Sequence, residues 1–296
     1  MLTEGPSHSI YIGVSTKMYL GYQASLRWLE EVREVVDARP SLMADGPVQL
    51  FVMPSLPLLE SARRILSGSP VRLGAQNCGW GDGPLTGEVS AGMLAEMGVS
   101  LVEVGHAERR LLFGEDAAVV ARKMNAVLTV GLTPLLCIGE DRQVAPDDAA
   151  LFCAEQVRSA LRDRAGGEPG RLSSVLLAYE PLWAIGAPAP ADPAYVDRVV
   201  AVLRTLLRER FGTDTGVIYG GSAGPGLLPR LASVDGLFLG RFAHEQGSGH
   251  GVIFRVGSGV VFDLVSQDEV GAGVAGVNGS QVLTEFSDGG GGPLCW

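Results

Sequence analysis

Short apolar runs recur along most of this chain, and each is followed by a stretch whose apolar positions fall three and four residues apart. IYIGV (10–14) reads as a buried strand, and Ala24–Val36 then sets Leu26, Leu29, Val32 and Val36 on one helical face. VQLFVMP (48–54) precedes a helical stretch at 58–66, and VRLGAQN (71–77) leads through a Gly-rich loop to a helix near 90–97. SLVEVG (100–105) is followed by a short helical turn and a longer helix near 116–130, and TPLLCIG (133–139) by an amphipathic stretch at 148–164. SSVLLAYE (173–180) precedes a Gly/Ala/Pro-rich loop and a helix at 193–211; GVIYGG (216–221) leads to a short helix around 226–233, and GLFLG (236–240) is the eighth strand. Strand and helix alternating in this way form parallel βα units. Eight of them within roughly 250 residues predict one closed (β/α)8 barrel.

The alternation stops after the eighth strand. Residues 246–296 contain Gly-spaced β-like runs such as GVIFRVGSGVVFDLV (251–265) and close near GGGG (289–292), with no amphipathic helix to cover the last strand. The expected organisation is a barrel domain over 1–245 and a C-terminal extension over 246–296. The Gly-rich tail stands in place of the last helix and packs as irregular coil or short strands. Glycine loses much entropy on ordering and offers no side chain to bury, so Gly289–Gly292 is expected to be disordered.

Charge narrows the partners. The net charge of −10 argues against nucleic acid or an anionic membrane. No uninterrupted apolar run reaches the ~18 residues a spanning helix needs, and the first nine residues lack the basic cluster of a secretory signal. Cys78, Cys137, Cys153 and Cys295 form no CxxC pair and match no zinc module, which reads as reduced, buried thiols in a cytoplasmic protein without a metal site. A phosphate ester would have to be held by local donors such as backbone amides, helix N-termini and a lysine, because the global field repels it.

In a β/α barrel the C-terminal strand ends converge on one mouth. Strand one ends in Ser15-Thr16-Lys17, strand four in Gly105-His106, strand six in Tyr179-Glu180, strand seven in Gly220-Gly221-Ser222 and strand eight in Gly240-Arg241. Singly, these have ordinary explanations: a solvated lysine, a satisfied polar histidine, a carboxylate capping a strand. A lysine, a histidine and a carboxylate at one mouth, beside two Gly-rich turns, are the parts of an acid–base site for an anion.

The segments AQNC (75–78), LTGEVS (85–90), VGHAERRLLFGE (104–115), CIGE (137–140), AYEPLWAIG (178–186) and IYGGSAGPG (218–226) closely resemble the triosephosphate isomerase family, in collinear order from about residue 10 to 242. The resemblance implies a TIM barrel that interconverts glyceraldehyde 3-phosphate and dihydroxyacetone phosphate through an enediolate, in glycolysis and gluconeogenesis, without metal or organic cofactor. It implies Glu180 as the base, His106 as the electrophile on the carbonyl oxygen and Lys17 as the cation steadying the enediolate and phosphate. The helical turn that opens after His106 should disfavour imidazolium. Gly186, Gly220, Gly221, Ser222 and Gly240 resemble the family's phosphate grip, and PLWAIGAPAPA (181–191) its closing lid, which excludes water. Glu108 is implied as a buried charged partner of the lysine, and Thr86 as the tip of a loop that enters the other subunit of a homodimer. Arg109 reads as a structural salt-bridge partner.

Several positions depart from the ordinary triose enzyme. Ser15 replaces an asparagine, Ala107 a serine and Arg241 a glycine, and the lid reads Gly186-Ala187-Pro188-Ala189. Ser15 frees volume at the mouth, and Arg241 adds a fork of donors for phosphate or for an extra hydroxyl. Ser15, the lid and GRFAH (240–244) are similar to the branch that isomerises four-carbon ketose phosphates such as erythrulose phosphate. The triose and four-carbon readings both stand on the sequence. A third, a weakened barrel that only binds phosphate, stands because fold alone does not establish function.

Overall fold

The computed structural model describes residues 9–38, 48–162, 172–187, 189–223, 226–240, 253–256 and 260–263. Eight parallel strands pair in chain order and the last returns to the first, closing a barrel. They are β1 (Ile10–Ser15), β2 (Val48–Met53), β3 (Arg72–Ala75), β4 (Leu101–Val104), β5 (Thr133–Ile138), β6 (Leu176–Tyr179), β7 (Gly216–Tyr219) and β8 (Gly236–Leu239). Closure is visible in the register: Val14 of β1 lies opposite Val52 of β2 on one side and Leu239 of β8 on the other.

The period of two along each strand divides the core into two layers. Ile12 and Val14, Val102 and Val104, and Leu136 and Ile138 point outward to the helices. Phe51, Met53, Leu101, Leu135, Cys137, Leu176, Ala178, Ile218 and Phe238 fill the barrel interior. Phe51 and Phe238 stack with ring centroids 6.0 Å apart. Gly13 opens the space for them, since a Cβ there would lie 2.1 Å from Phe51 Cζ. The same parity sends Ser15 and Glu103 inward at the upper end of the barrel, so the layer beneath the mouth is polar.

The outer ring is α1 (Tyr22–Asp37), α2 (Leu59–Ile65), α3 (Ala91–Glu96), α4 (Ala107–Phe113), α5 (Ala117–Thr129), α6 (Pro146–Ala160) and α7 (Pro193–Phe211). The buried face of α1 is Ser25, Trp28, Leu29, Val32 and Val36, with Leu26 on its flank. Ser90, Asp116 and Asp192 cap α3, α5 and α7 by accepting from backbone N–H groups in the first turn. α6 starts earlier than the apolar periodicity indicates because Pro146 suits a first helical turn. The segment after β7 forms only a 3-10 turn, Leu228–Arg230, at Pro229.

In the extension, β9 (Ile253–Val256) and β10 (Val260–Asp263) form an antiparallel pair, the short strands expected for that run. β9 lies beside the Leu228–Arg230 turn. The rest of 246–296, including Gly289–Gly292, lies outside the described residues, as does Arg241. No described helix is long and apolar enough to cross a membrane.

Candidate active site

Ser15, Lys17, His106, Glu180, Gly186, Gly220, Gly221, Ser222 and Gly240 line one cavity of about 210 Å³ at the C-terminal end of the barrel. That volume lies below the roughly 300–1,000 Å³ of drug-sized pockets and suits a small metabolite.

Lys17 follows β1 with a φ of 47°, a left-handed conformation that costs a residue with a Cβ about 1 kcal/mol or more. Three side chains donate to the Lys17 carbonyl and hold it there: Ser55 Oγ (2.7 Å), Gln76 Nε2 (3.0 Å) and, more weakly, Thr16 Oγ1 (3.5 Å). Its Nζ meets Glu108 Oε1 at 2.5 Å. Burial works against the ammonium, but the Glu108 hydrogen bond and the charges of Glu108, Glu180 and Glu103 outweigh it and raise its pKa. Lys17 therefore stays cationic. The expected partnership is made, yet Glu108 is not buried: 43% of its side chain is exposed. It occupies the first turn of α4, whose outer face in the single chain also leaves Leu111, Leu112 and Phe113 open to solvent.

His106 is the N-cap of α4, and its Nδ1 accepts the backbone N–H of Glu108 at 3.1 Å. An accepting Nδ1 leaves the imidazole proton on Nε2. The ring is neutral: burial first, then the charges of Lys17 and Arg109, bring its pKa down to about 4 against the opposing pull of Glu108. Nε2 faces the cavity 3.5 Å from Glu180 Oε2 and 3.9 Å from Glu103 Oε1.

Glu180 directly follows β6, with its side chain against Gly220. A Cβ at Gly220 would lie 2.4 Å from Glu180 Oε1, so only glycine leaves the carboxyl this seat. Glu180 Oε2 is buried and has no hydrogen-bond partner among the described residues. Burial pushes its pKa up to about 8, although Lys17 and the Cys137 thiol pull it back. A buried carboxyl with its Oε2 free of partners among the described residues, beside a donor-only imidazole nitrogen and an ammonium, can take a proton from a carbon while the donors hold the oxygen that gains charge.

The segment over the cavity is tied at both ends. Ser222 Oγ donates to the Ala184 carbonyl (2.9 Å), and Trp183 Nε1 to Glu140 Oε1 (2.9 Å). At the far end the Ala191 N–H donates to Tyr219 Oη (3.1 Å). Glu140 is buried and also accepts from the hydroxyls of Tyr179 and Tyr195. Arg109 makes the structural pair expected of it, with Glu115 at 2.5 Å, where buried Lys123 also converges.

The triosephosphate isomerase family model matches residues 10–253. The chain belongs to the triosephosphate isomerase family. Similar proteins include one from Pectobacterium atrosepticum, 44% identical over 82% of this chain and 93% of its own length. Others come from Rhizobium etli (38% identical; 85% and 94%) and Mycolicibacterium smegmatis (39%; 80% and 89%). All three are named L-erythrulose-1-phosphate isomerase. This family member is therefore a sugar-phosphate isomerase.

Sequence reasoning passed over Glu103, Glu140, Ser55 and Gln76 in this triosephosphate isomerase family member. Glu103 carried a readable signal, because in LVEV the period of two places it on the same inward face as Leu101. The others act through side-chain contacts that no local spacing encodes. Arg241 lies outside the described residues, so its expected role has no geometry here.

Proposed function

We propose that this enzyme isomerises a four-carbon ketose phosphate, moving the carbonyl of erythrulose 1-phosphate to the neighbouring carbon. The observation that carries the reading is the shared name of relatives that match over about nine-tenths of their own length. Ser15 at the cavity wall supports it, because a side chain shorter than asparagine leaves room for one more hydroxymethyl group.

The chemistry runs through the residues at the mouth. Glu180, ionised, removes the proton from the hydroxyl-bearing carbon next to the carbonyl. The electron pair moves into the new carbon–carbon double bond, and the carbonyl oxygen takes the negative charge. His106 Nε2–H and the Lys17 ammonium hold that oxygen, and a neutral His106 donates from Nε2 while its Nδ1 accepts the Glu108 N–H. A glutamate base working beside a neutral histidine is the known pattern of the triosephosphate isomerase family. The proton of the neighbouring hydroxyl passes to the former carbonyl oxygen, with His106 Nε2 placed to relay it, and Glu180 returns its proton to the former carbonyl carbon, leaving the carbonyl one position along. The backbone at Gly186, Gly220, Gly221 and Gly240 would grip the phosphate, joined by the Ser222 hydroxyl once it turns from the Ala184 carbonyl. Cofactor-free proton transfer needs nothing further.

A homodimer is part of the proposal. Met18 is 90% exposed, and it, Leu111, Leu112 and Phe113 leave apolar surface uncovered in the single chain, near the half-exposed Glu108. A partner's Thr86-bearing loop would cover them. Buried free thiols at Cys78, Cys137 and Cys153 support a reducing, cytoplasmic setting. On the four-carbon reading the reaction lies outside glycolysis and gluconeogenesis.

The test is kcat/KM of the purified protein on erythrulose 1-phosphate and on dihydroxyacetone phosphate. A preference for the four-carbon substrate of about a hundredfold or more is expected. Equal values, or a preference for the triose, restore the smaller substrate as the true one.

A further inference from the structure

Beneath the cavity lies a carboxyl group that the proton transfer does not use. Glu103 takes an inward position of β4, two residues above the core residue Leu101, and is only 4% exposed. Its contacts are few: Ser15 Oγ donates to Oε2 at 3.4 Å, the Cys137 thiol reaches Oε1 at 4.0 Å, and His106 Nε2 stands 3.9 Å from Oε1. Barrel packing alone does not call for an acid at this position, since Met53 and Leu101 fill neighbouring inward positions with hydrocarbon. An acid buried with so few donors is costly unless it stays neutral. Burial first, then the Glu180 charge, pushes the Glu103 pKa up to about 8, with Glu108 adding and Lys17 and Ser15 opposing. Glu103 is therefore a neutral acid at pH 7 with one oxygen, Oε2, turned to Ser15.

Ser15 is the link from this buried group to the substrate, because it also lines the cavity. Lys17 Nζ and His106 Nε2–H are donors only, Glu180 is occupied with the carbon-bound proton, and the Glu108 carboxylate on the same wall is engaged by Lys17. A substrate hydroxyl that must donate its own proton then has the hydroxyls of Ser15 and Tyr19 as acceptors, and of these Ser15 is the one held by a buried acid. We propose that Glu103 is a positioning residue for specificity: by accepting the Ser15 proton it fixes that hydroxyl with its lone pairs toward the cavity, where they accept from the hydroxyl that a four-carbon substrate carries and a triose lacks. This rests on the four-carbon reading of the site. It adds that the discrimination is made by a pair, one member of which never touches substrate. Without Glu103 the Ser15 hydroxyl rotates freely and offers donor or acceptor indifferently.

The experiment measures kcat and KM on erythrulose 1-phosphate and dihydroxyacetone phosphate for wild type, Ser15→Ala, Glu103→Leu, Glu103→Gln and the Ser15→Ala/Glu103→Leu double variant. Losing one neutral hydrogen bond to substrate should lower the four-carbon to three-carbon ratio of kcat/KM by about tenfold in each of the first two variants, mostly through KM. The double variant should lose no more than either single one, because the two residues act as a unit. Glu103→Gln should restore most of the ratio, since its amide oxygen can accept from Ser15. An unchanged ratio in Glu103→Leu, or additive losses in the double variant, overturns the inference while leaving the four-carbon reading intact. If Glu103→Leu fails to fold, Ser15→Ala decides alone, and an unchanged ratio there overturns it. Wild type without four-carbon preference sinks the functional reading first, and this inference with it.

Discussion

Glu103→Gln should change how the stability of this protein depends on pH, because the side chain keeps its shape and loses its titration. The folded-state pKa of Glu103 is about 8, against 4.5 for the ordinary carboxyl. Between those values the native chain holds a proton that the unfolded chain has released. Its stabilising contribution is thus whole below about pH 4.5 and is lost as pH rises through 8. One proton corresponds to a slope of about 1.4 kcal/mol per pH unit, which flattens as the native group itself begins to ionise. From pH 6 to pH 8 wild type should lose about 2 kcal/mol to this group alone. Glutamine loses none, so the stability of the variant minus that of wild type should grow by about 2 kcal/mol across the interval. The titration of His106, lowered to about 4, occurs in both proteins and cancels, while Glu180, raised to about 8, is coupled to Glu103, so the difference reports the proton that the pair retains. Urea unfolding of the ligand-free protein at pH 6, 7 and 8, at constant ionic strength, measures it. A difference that stays flat would mean that Glu103 is already ionised at pH 6, and the neutral acid beneath Ser15 would have to be abandoned.

Three further outcomes test the site. Glu180→Asp retracts the carboxylate by about 1 Å and should cost on the order of a hundredfold in kcat with the fold retained; near-wild-type turnover removes Glu180 as the base. Gly220→Ala puts a methyl 2.4 Å from Glu180 Oε1 and 2.5 Å from its Cγ, so the carboxyl must leave its seat and kcat should fall by a similar factor. Full activity in that variant would show that the base does not work from this position. Tyr219→Phe strips the Ala191 N–H of its 3.1 Å acceptor; it should raise KM several-fold and cost about 1 kcal/mol of stability, and unchanged values for both would free the lid from this anchor.

The sequence by itself determined the βα repeat, the closed barrel and the grouping of Lys17, His106 and Glu180 at one end. All three follow from short-range regularities: the period of two that turns residues in or out, the helical spacing between strands, and the rule that strand C-termini share a mouth. Even the inward direction of Glu103 was present in LVEV, waiting to be counted. Tertiary structure alone decided what those residues meet. The Ser15 hydroxyl finds Glu103 across 88 residues of sequence, and Lys17 finds Glu108 across 91. The tautomer of His106 depends on a backbone N–H at the start of α4, and the seat of Glu180 depends on the missing Cβ of Gly220 on the next strand. Contacts of this kind are set by the stagger of strands around the closed barrel and by the volume left between them. No local pattern carries that information, because each strand obeys the same alternation wherever its neighbours happen to lie.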